Sequence, residues 1–270
     1  MGFRFCSFAS GSTGNCYLVR TEETVLLIDT GISGKRIVQS LDSLGLAPSD
    51  ISAILITHEH SDHVMSIKTM ARKADSADIY ATEGTFASID DKIPTEREVV
   101  VESDCPFTVG DIRIVPFDLS HDAVEPVGYT FSAGGKKLSL MTDTGYVSED
   151  MYDHIKGSDA LILEANHEVN VLRAGPYPYV LKQRILSEKG HLSNETCGNV
   201  IARLLDDREE TEDDREIPYV MLAHVSRQNN TPDMAYMTVK DVLFDDGLLV
   251  DKDVRIGVAG HDQMTPEIEI

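Results

Sequence analysis

No run of apolar residues in this 270-residue chain approaches the roughly 18 to 20 needed to span a bilayer. A helical membrane span is therefore not expected. The first residues, Met1-Gly2-Phe3-Arg4-Phe5-Cys6, place no basic region ahead of a sustained apolar segment. Gly2 does not make an acylation signal either, because that pattern wants Ser or Thr where Cys6 stands. A cytoplasmic protein is expected. Cysteine is sparse: Cys6, Cys16, Cys105 and Cys197 contain no Cys-x-x-Cys pair, which argues against a zinc ribbon, a redox motif or a disulfide framework. Positive charge is also scarce, with 24 Lys and Arg against 46 Asp and Glu and a formal charge of −22. That balance ordinarily disfavours an anionic partner. It does not decide the substrate here, because the stretch 206–216 concentrates much of the acidity in what reads as a solvated loop. Bound metal would neutralise further acids. Internal repeats and low-complexity linkers are absent, so one domain over residues 1–270 is expected.

What is present is concentrated at Ile54-Leu55-Ile56-Thr57-His58-Glu59-His60-Ser61-Asp62-His63. An apolar, β-branched run reads as a buried strand, and it ends in four potential metal ligands within six residues. Imidazole nitrogens and carboxylate oxygens are donors that ions such as zinc prefer. In extended backbone, His58 and His60 point the same way and can grip one ion. Asp62 and His63 lie beyond, where a turn can aim them at a second. The competing reading, a polar loop that holds three histidines by chance, is disfavoured because such loops draw on Gly, Asn, Asp and Ser.

Strands are expected over residues 3–9, 16–20, 24–29, 54–56, 78–82, 98–101, 107–109, 112–117, 127–132, 138–142, 161–164, 219–223 and 254–258. Helices are expected around 37–44, 64–70, 83–89, 179–188, 194–205 and 233–244. Ser10-Gly11-Ser12-Thr13-Gly14-Asn15 forms a tight turn that either cradles an anion or simply joins two strands. On this layout Asp29, His121, Asp143 and His224 each lie at or just past the carboxyl end of an apolar strand. Strand ends at one rim are where a rigid scaffold converges side chains.

With these residues placed, the chain resembles the metallo-β-lactamase-fold hydrolase superfamily, whose His-x-His-x-Asp-His signature is met by His58, His60, Asp62 and His63. The resemblance implies an α/β (α+β) fold, the four-layer αββα sandwich of the metallo-β-lactamase type. It implies two metal ions, one held by His58, His60 and His121 and the other by Asp62, His63 and His224. Asp143 would bridge both, and Asp29 would support the loop by hydrogen bonding. The segments 9–15, 164–168, 175–178, 190–194 and 223–230 further resemble the YycJ (WalJ) branch, described as nucleases acting on DNA ends. His191 matches a histidine that transfer-RNA-processing relatives place near the leaving group, which makes it the candidate general acid. Glu164 is its candidate orienting partner. A surface histidine at a helix start remains the other reading of His191. Asp62, His191 and Glu164 form the catalytic assignment.

Two ions about 3.5 to 4 Å apart can share a water, lower its pKa and hold the resulting hydroxide in line with a phosphorus or carbonyl centre. Zinc or manganese suits the donors, and iron is a further option. A carboxylate at Asp143, in place of the thiolate of β-lactamases, together with the missing signal peptide, argues against antibiotic hydrolysis. The expectation is a two-metal phosphodiesterase, a DNA exonuclease. The alternatives are a hydrolase of small esters, thioesters or lactones, or a metal-bound regulatory protein with little turnover. Candidate substrate contacts are His167, Arg173, Lys182, Arg184, Ser226 and Asn229, with Tyr177 and Tyr179 interleaved in the basic stretch.

Overall fold

The tetrad Val25-Leu26-Leu27-Ile28 is buried at every position, so it has no polar face and sits as an interior strand. Runs of this kind organise the chain. The computed structural model describes residues 2–89, 93–210 and 215–270. Two compact units emerge, the first comprising Met1–Asp118, Ala123–Lys136 and Gly260–Ile270, the second Leu119–Asp122 and Lys137–Ala259.

The first unit contains strands β1 (Arg4–Ala9), β2 (Cys16–Arg20), β3 (Val25–Ile28), β4 (Ala53–Leu55), β5 (Asp78–Ala81), β6 (Glu98–Val100), β7 (Phe107–Val109), β8 (Ile112–Asp118) and β9 (Val127–Ala133). Its helices are α1 (Gly34–Ser43), α2 (Ser61–Val64), α3 (Ile67–Lys73) and α4 (Glu83–Ser88). β1, β2 and β3 pair antiparallel in succession, and β3, β4, β5 and β6 pair in parallel. β7, β8 and β9 form an antiparallel meander. One face of the sheet carrying β1 to β6 packs Phe8, Leu18, Leu27 and Ile54 against Ile37 and Leu41 of α1 and Ile67 and Met70 of α3. α1 starts at Ser33, whose side chain accepts from Arg36 N–H, and stops where Gly45 adopts φ 73°.

The second unit has strands β10 (Lys136–Met141), β11 (Ala160–Glu164), β12 (Tyr219–Ala223) and β13 (Arg255–Val258), paired in parallel in that order. Its helices are α5 (Glu149–Ile155), α6 (Val169–Ala174), α7 (Tyr179–Ile185), α8 (Asn194–Glu210) and α9 (Pro232–Asp245). α9 is entered through Thr231, which accepts from Met234 N–H, with Pro232 in the first turn where its missing N–H is harmless.

The structure departs from the sequence reading in several places. The helix expected over 64–70 is split into α2 and α3, because Ser66 N–H donates to Thr30 carbonyl and not to its own helix. α8 continues to Glu210, so 206–210 is helix and not loop; Asp207 is anchored by Tyr152 Oη (2.7 Å) and Lys156 Nζ (2.7 Å). Of the rest of that expected acidic loop, 211–214 lie outside the described residues, and Arg215 and Glu216 are exposed and outside any helix or strand. α6 was not expected. Nor was a last strand, β14 (Ile268–Glu269), which pairs antiparallel with β1 in the first unit and is flanked by a two-bond Arg20–Glu267 pair (2.6 Å each).

Candidate metal centre

Each unit carries its own cluster of donor side chains. In the first, β3 ends at Ile28 and Asp29 turns into the left-handed region at φ 58°. That conformation is unusual for a residue with a Cβ and least costly for Asp or Asn. Asp29 Oδ1 accepts Thr57 N–H (2.9 Å), and its Oδ2 faces His63 Nδ1 at 2.7 Å. Thr57 Oγ1 lies 3.1 Å from both His58 Nδ1 and His63 Nδ1. His58 Nε2 and His60 Nδ1 stand 3.1 Å apart, although this segment is a loop past β4 and not extended strand. Asp62 and His63 sit on the single turn of α2, with Asp62 Oδ2 3.8 Å from His63 Nε2.

This loop is held from behind. Asn15 N–H donates to Asp62 carbonyl (2.8 Å), Thr30 N–H donates to His63 carbonyl (2.7 Å), and Asn15 Nδ2 lies 3.0 Å from His63 Nε2. A Cβ at Gly31 would overlap the Asp62 carbonyl, so only glycine allows this approach. Within the turn considered for an anion cradle, Gly11 N–H is taken by Asn15 Oδ1 (2.9 Å) and Gly14 N–H by Gly11 carbonyl (3.0 Å). The turn buttresses the histidine loop.

In the second unit, Asp143 follows β10 at φ 63° and His224 follows β12 at φ 51°. Asp143 Oδ1 lies 3.4 Å from His224 Nε2 and 3.9 Å from His121 Nε2. His121 Nδ1 faces Gly190 carbonyl at 3.3 Å. Glu164, fully buried at the end of β11, places one oxygen, Oε1, 2.8 Å from Nδ1 of both His191 and His224. Its other oxygen accepts Thr144 N–H (3.0 Å) and Leu192 N–H (3.2 Å). Burial alone would raise the Glu164 carboxyl, but charge attraction and hydrogen bonds from His191 and His224 hold it well below the usual carboxylate range. Burial lowers the His121 pKa, with Asp143 opposing. Asp143, Glu164, His191 and His224 offer ligand atoms within 4.8 Å of one another.

The donor set fits a divalent metal ion. His58, His63, His121 and His224 each have Nδ1 against an oxygen of Thr57, Asp29, Gly190 or Glu164, which is how metal-ligating histidines are held and their tautomer chosen.

The candidate substrate contacts divide into buried and exposed groups. His167 is buried, neither ring nitrogen meets a partner among the described residues, and burial lowers its pKa to about 4. Ser226 and Asn229 are buried too and bond to each other. Arg184 is committed to Asp122, beside His121. Arg173 is exposed, while Lys182 Nζ donates to the carbonyls of Arg173 and Gly175. The sequence reading did not single out three amides that tie this cluster together. Asn166 Nδ2 donates to His224 carbonyl (2.9 Å), and Asn194 and Asn230 exchange two side-chain hydrogen bonds (3.0 and 2.8 Å). Their only signal was membership of the short segments quoted for the branch.

Comparison with known proteins places this geometry in a family. The model of the beta-lactamase superfamily domain matches residues 24–208. The exodeoxyribonuclease WalJ of Streptococcus pneumoniae serotype 2 is 39% identical over 275 residues, covering 100% of this chain and 99% of that protein. The exodeoxyribonuclease YycJ of Bacillus anthracis is 42% identical over 250 residues, covering 92% and 91%. The crystal structure of the metallo-β-lactamase fold protein YhfI from Bacillus subtilis superposes with a TM-score of 0.72 at 15% identity, covering 99% and 100%. The fold is the one the resemblance implied.

Proposed function

The chain belongs to the beta-lactamase superfamily and, within it, to the YycJ (WalJ) branch, and we propose that it is a divalent-metal-dependent DNA exonuclease of the cytoplasm. The observation that carries this reading is 39–42% identity to two exodeoxyribonucleases over 92–100% of a chain that carries the complete histidine and aspartate pattern. No helix among the described residues is long and apolar enough to cross a membrane.

In this proposal His58, His60 and His121 would hold one ion and Asp62, His63 and His224 a second, with Asp143 within the donor set of both. Zinc or manganese suits these donors. When bound, such ions supply Lewis acidity and lower the pKa of a water towards neutrality. The chain's own residues do the rest. Asp29 fixes the ring of His63 through Nδ1, and Glu164 does the same for His191 and His224. Asp62 is the carboxylate on the attacking side. His191, oriented through Nδ1 by Glu164, is the proton donor through its Nε2–H. As the water oxygen bonds to phosphorus it gives up one proton to the Asp62 carboxylate, the bond to the departing nucleotide breaks, and the Nε2 proton of His191 passes to the departing oxygen.

The test is to offer metal-loaded protein end-labelled duplex DNA, RNA, bis-p-nitrophenyl phosphate and a panel of esters, thioesters and lactones. Progressive shortening of DNA is expected, and His191→Ala should slow it by about 10² to 10⁴ with metal content intact. Hydrolysis of the thioesters or lactones alone would overturn the nuclease reading.

A further inference from the structure

Between Val169 and His191 the chain carries Arg173, Lys182, Arg184 and Lys189 against one acid, Glu188, although the whole protein has a formal charge of −22. These cations are not equivalent. Arg184 is neutralised by Asp122. Lys182 spends two of its three N–H bonds on the carbonyls of Arg173 and Gly175 (2.7 Å each), which fixes its ammonium across the α6–α7 connection and leaves a third donor. The Arg173 guanidinium makes no hydrogen bond or ion pair among the described residues. Arg173, Tyr179 and Lys182 line an open cavity of about 520 Å³ together with Gln183, Leu186 and Ser187. Its size is within the range of small-ligand sites, about 300 to 1,000 Å³.

Two large side chains stand at the start of α7 with little to cover them: Tyr179 is 74% exposed and Val180 79%. An aromatic face beside a cation without a counter-ion, on an otherwise acidic protein, is complementary to a ligand that is both anionic and flat. Unpaired nucleotides have that chemistry, a phosphate on one side and a π-face on the other. Bases inside a duplex do not, since their faces are already stacked.

The cavity is also tethered to the catalytic cluster of its own unit. α7 leads into the turn 187–190 and then His191. Ser120 Oγ donates to Glu188 carbonyl (2.7 Å), Gly145 N–H donates to Ser120 carbonyl (3.0 Å), and His121 Nδ1 faces Gly190 carbonyl. At Gly145 a Cβ would overlap the carbonyls of Ser187 and Glu188, so the loop after Asp143 lies directly on this turn.

We propose that the Arg173–Tyr179–Lys182 cavity is a subsite for a single-stranded DNA segment flanking the hydrolysed bond, with Tyr179 stacking on a base and Arg173 and Lys182 each meeting a backbone phosphate. This rests on the nuclease reading above and adds an unpaired strand to it.

Binding is measured by fluorescence anisotropy on metal-loaded protein with a labelled (dT)12 whose phosphorothioate linkages resist turnover. Tyr179→Ala should weaken binding about five- to hundredfold, and Tyr179→Phe should restore it. Arg173→Ala should flatten the slope of log K against log salt by about 0.7. Both side chains are exposed and make no side-chain hydrogen bond among the described residues, and melting temperatures equal to wild type would show the variants folded. DNA cleavage by wild type, with (dT)12 binding indifferent to Tyr179→Ala and Arg173→Ala, overturns the subsite and leaves the nuclease reading standing. Poly-glutamate competing as well as (dT)12 also overturns it, since that polyanion has no bases. Wild-type protein that neither binds nor cleaves DNA overturns both.

Discussion

Asp29, Asp143 and His224 share one backbone feature, a positive φ on or just past the last residue of a parallel strand. Such conformations cost about 1 to 3 kcal/mol each and persist where the surroundings over-determine them. For Asp29 the surroundings are Thr57 and His63. Asparagine tolerates the same conformation, so Asp29→Asn isolates the charge and the acceptor from the backbone. Metal affinity should fall about 10- to 100-fold in a competitive metal titration; unchanged affinity would mean that Asp29 does not orient His63. His167 gives a prediction on pH. Burial holds it neutral in the folded chain down to about 4, whereas in the unfolded chain it takes a proton near 6.5. Between those values the unfolded state binds the extra proton, so stability falls as pH drops through this window. Between pH 7 and 4.5 the denaturation free energy of wild type should drop by about 2 kcal/mol more than that of His167→Gln. Equal drops would contradict the assignment.

At the scale of elements, the histidine loop is placed by what lies beneath it. Asn15 and Thr30 bond its carbonyls from two other segments of the first unit, and Gly31 permits the approach. Gly31→Ala should cost about 3 to 5 kcal/mol in chemical denaturation, in the class of severe backbone clashes. A loss below 1 kcal/mol would show that the loop shifts freely. In the second unit the Asn194–Asn230 pair joins the start of α8 to the loop after β12, and so the neighbours of His191 to those of His224. Each replacement by alanine strands a buried amide and should cost about 1 to 3 kcal/mol. The double variant should lose less than the two singles together; strict additivity would mean that the amides act independently.

For the molecule as a whole, a formal charge of −22 makes the compact state repel itself, and cations that bind the native donors relieve part of that repulsion. Ligand that binds only the native state adds stability, about 4 kcal/mol at a thousand times its dissociation constant. Chelation should therefore lower the melting temperature by several degrees, with recovery on adding zinc or manganese. A melting temperature indifferent to chelator would contradict resident metal.

Much of this protein is local and therefore legible from residues alone. β2 and β12 fall on the boundaries that apolar runs and their breakers mark, and His58 to His63 is recognisable because four potential ligands lie within six residues. The pairing of β14 with β1, across some 260 residues, has no local signal, since two residues carry no periodicity. The acidic run reads as solvated because charge is what a sequence displays, yet Asp207 is fastened to Tyr152 and Lys156 and carries α8 on to Glu210. The sequence by itself determined the family, the donor types and the strand ends that carry them, since ligand chemistry and hydrophobic period are properties of short segments. Only tertiary structure decided which oxygen holds each imidazole, because Asp29 to His63, Glu164 to His224 and Asn194 to Asn230 meet through folding, and no neighbour in the chain announces them.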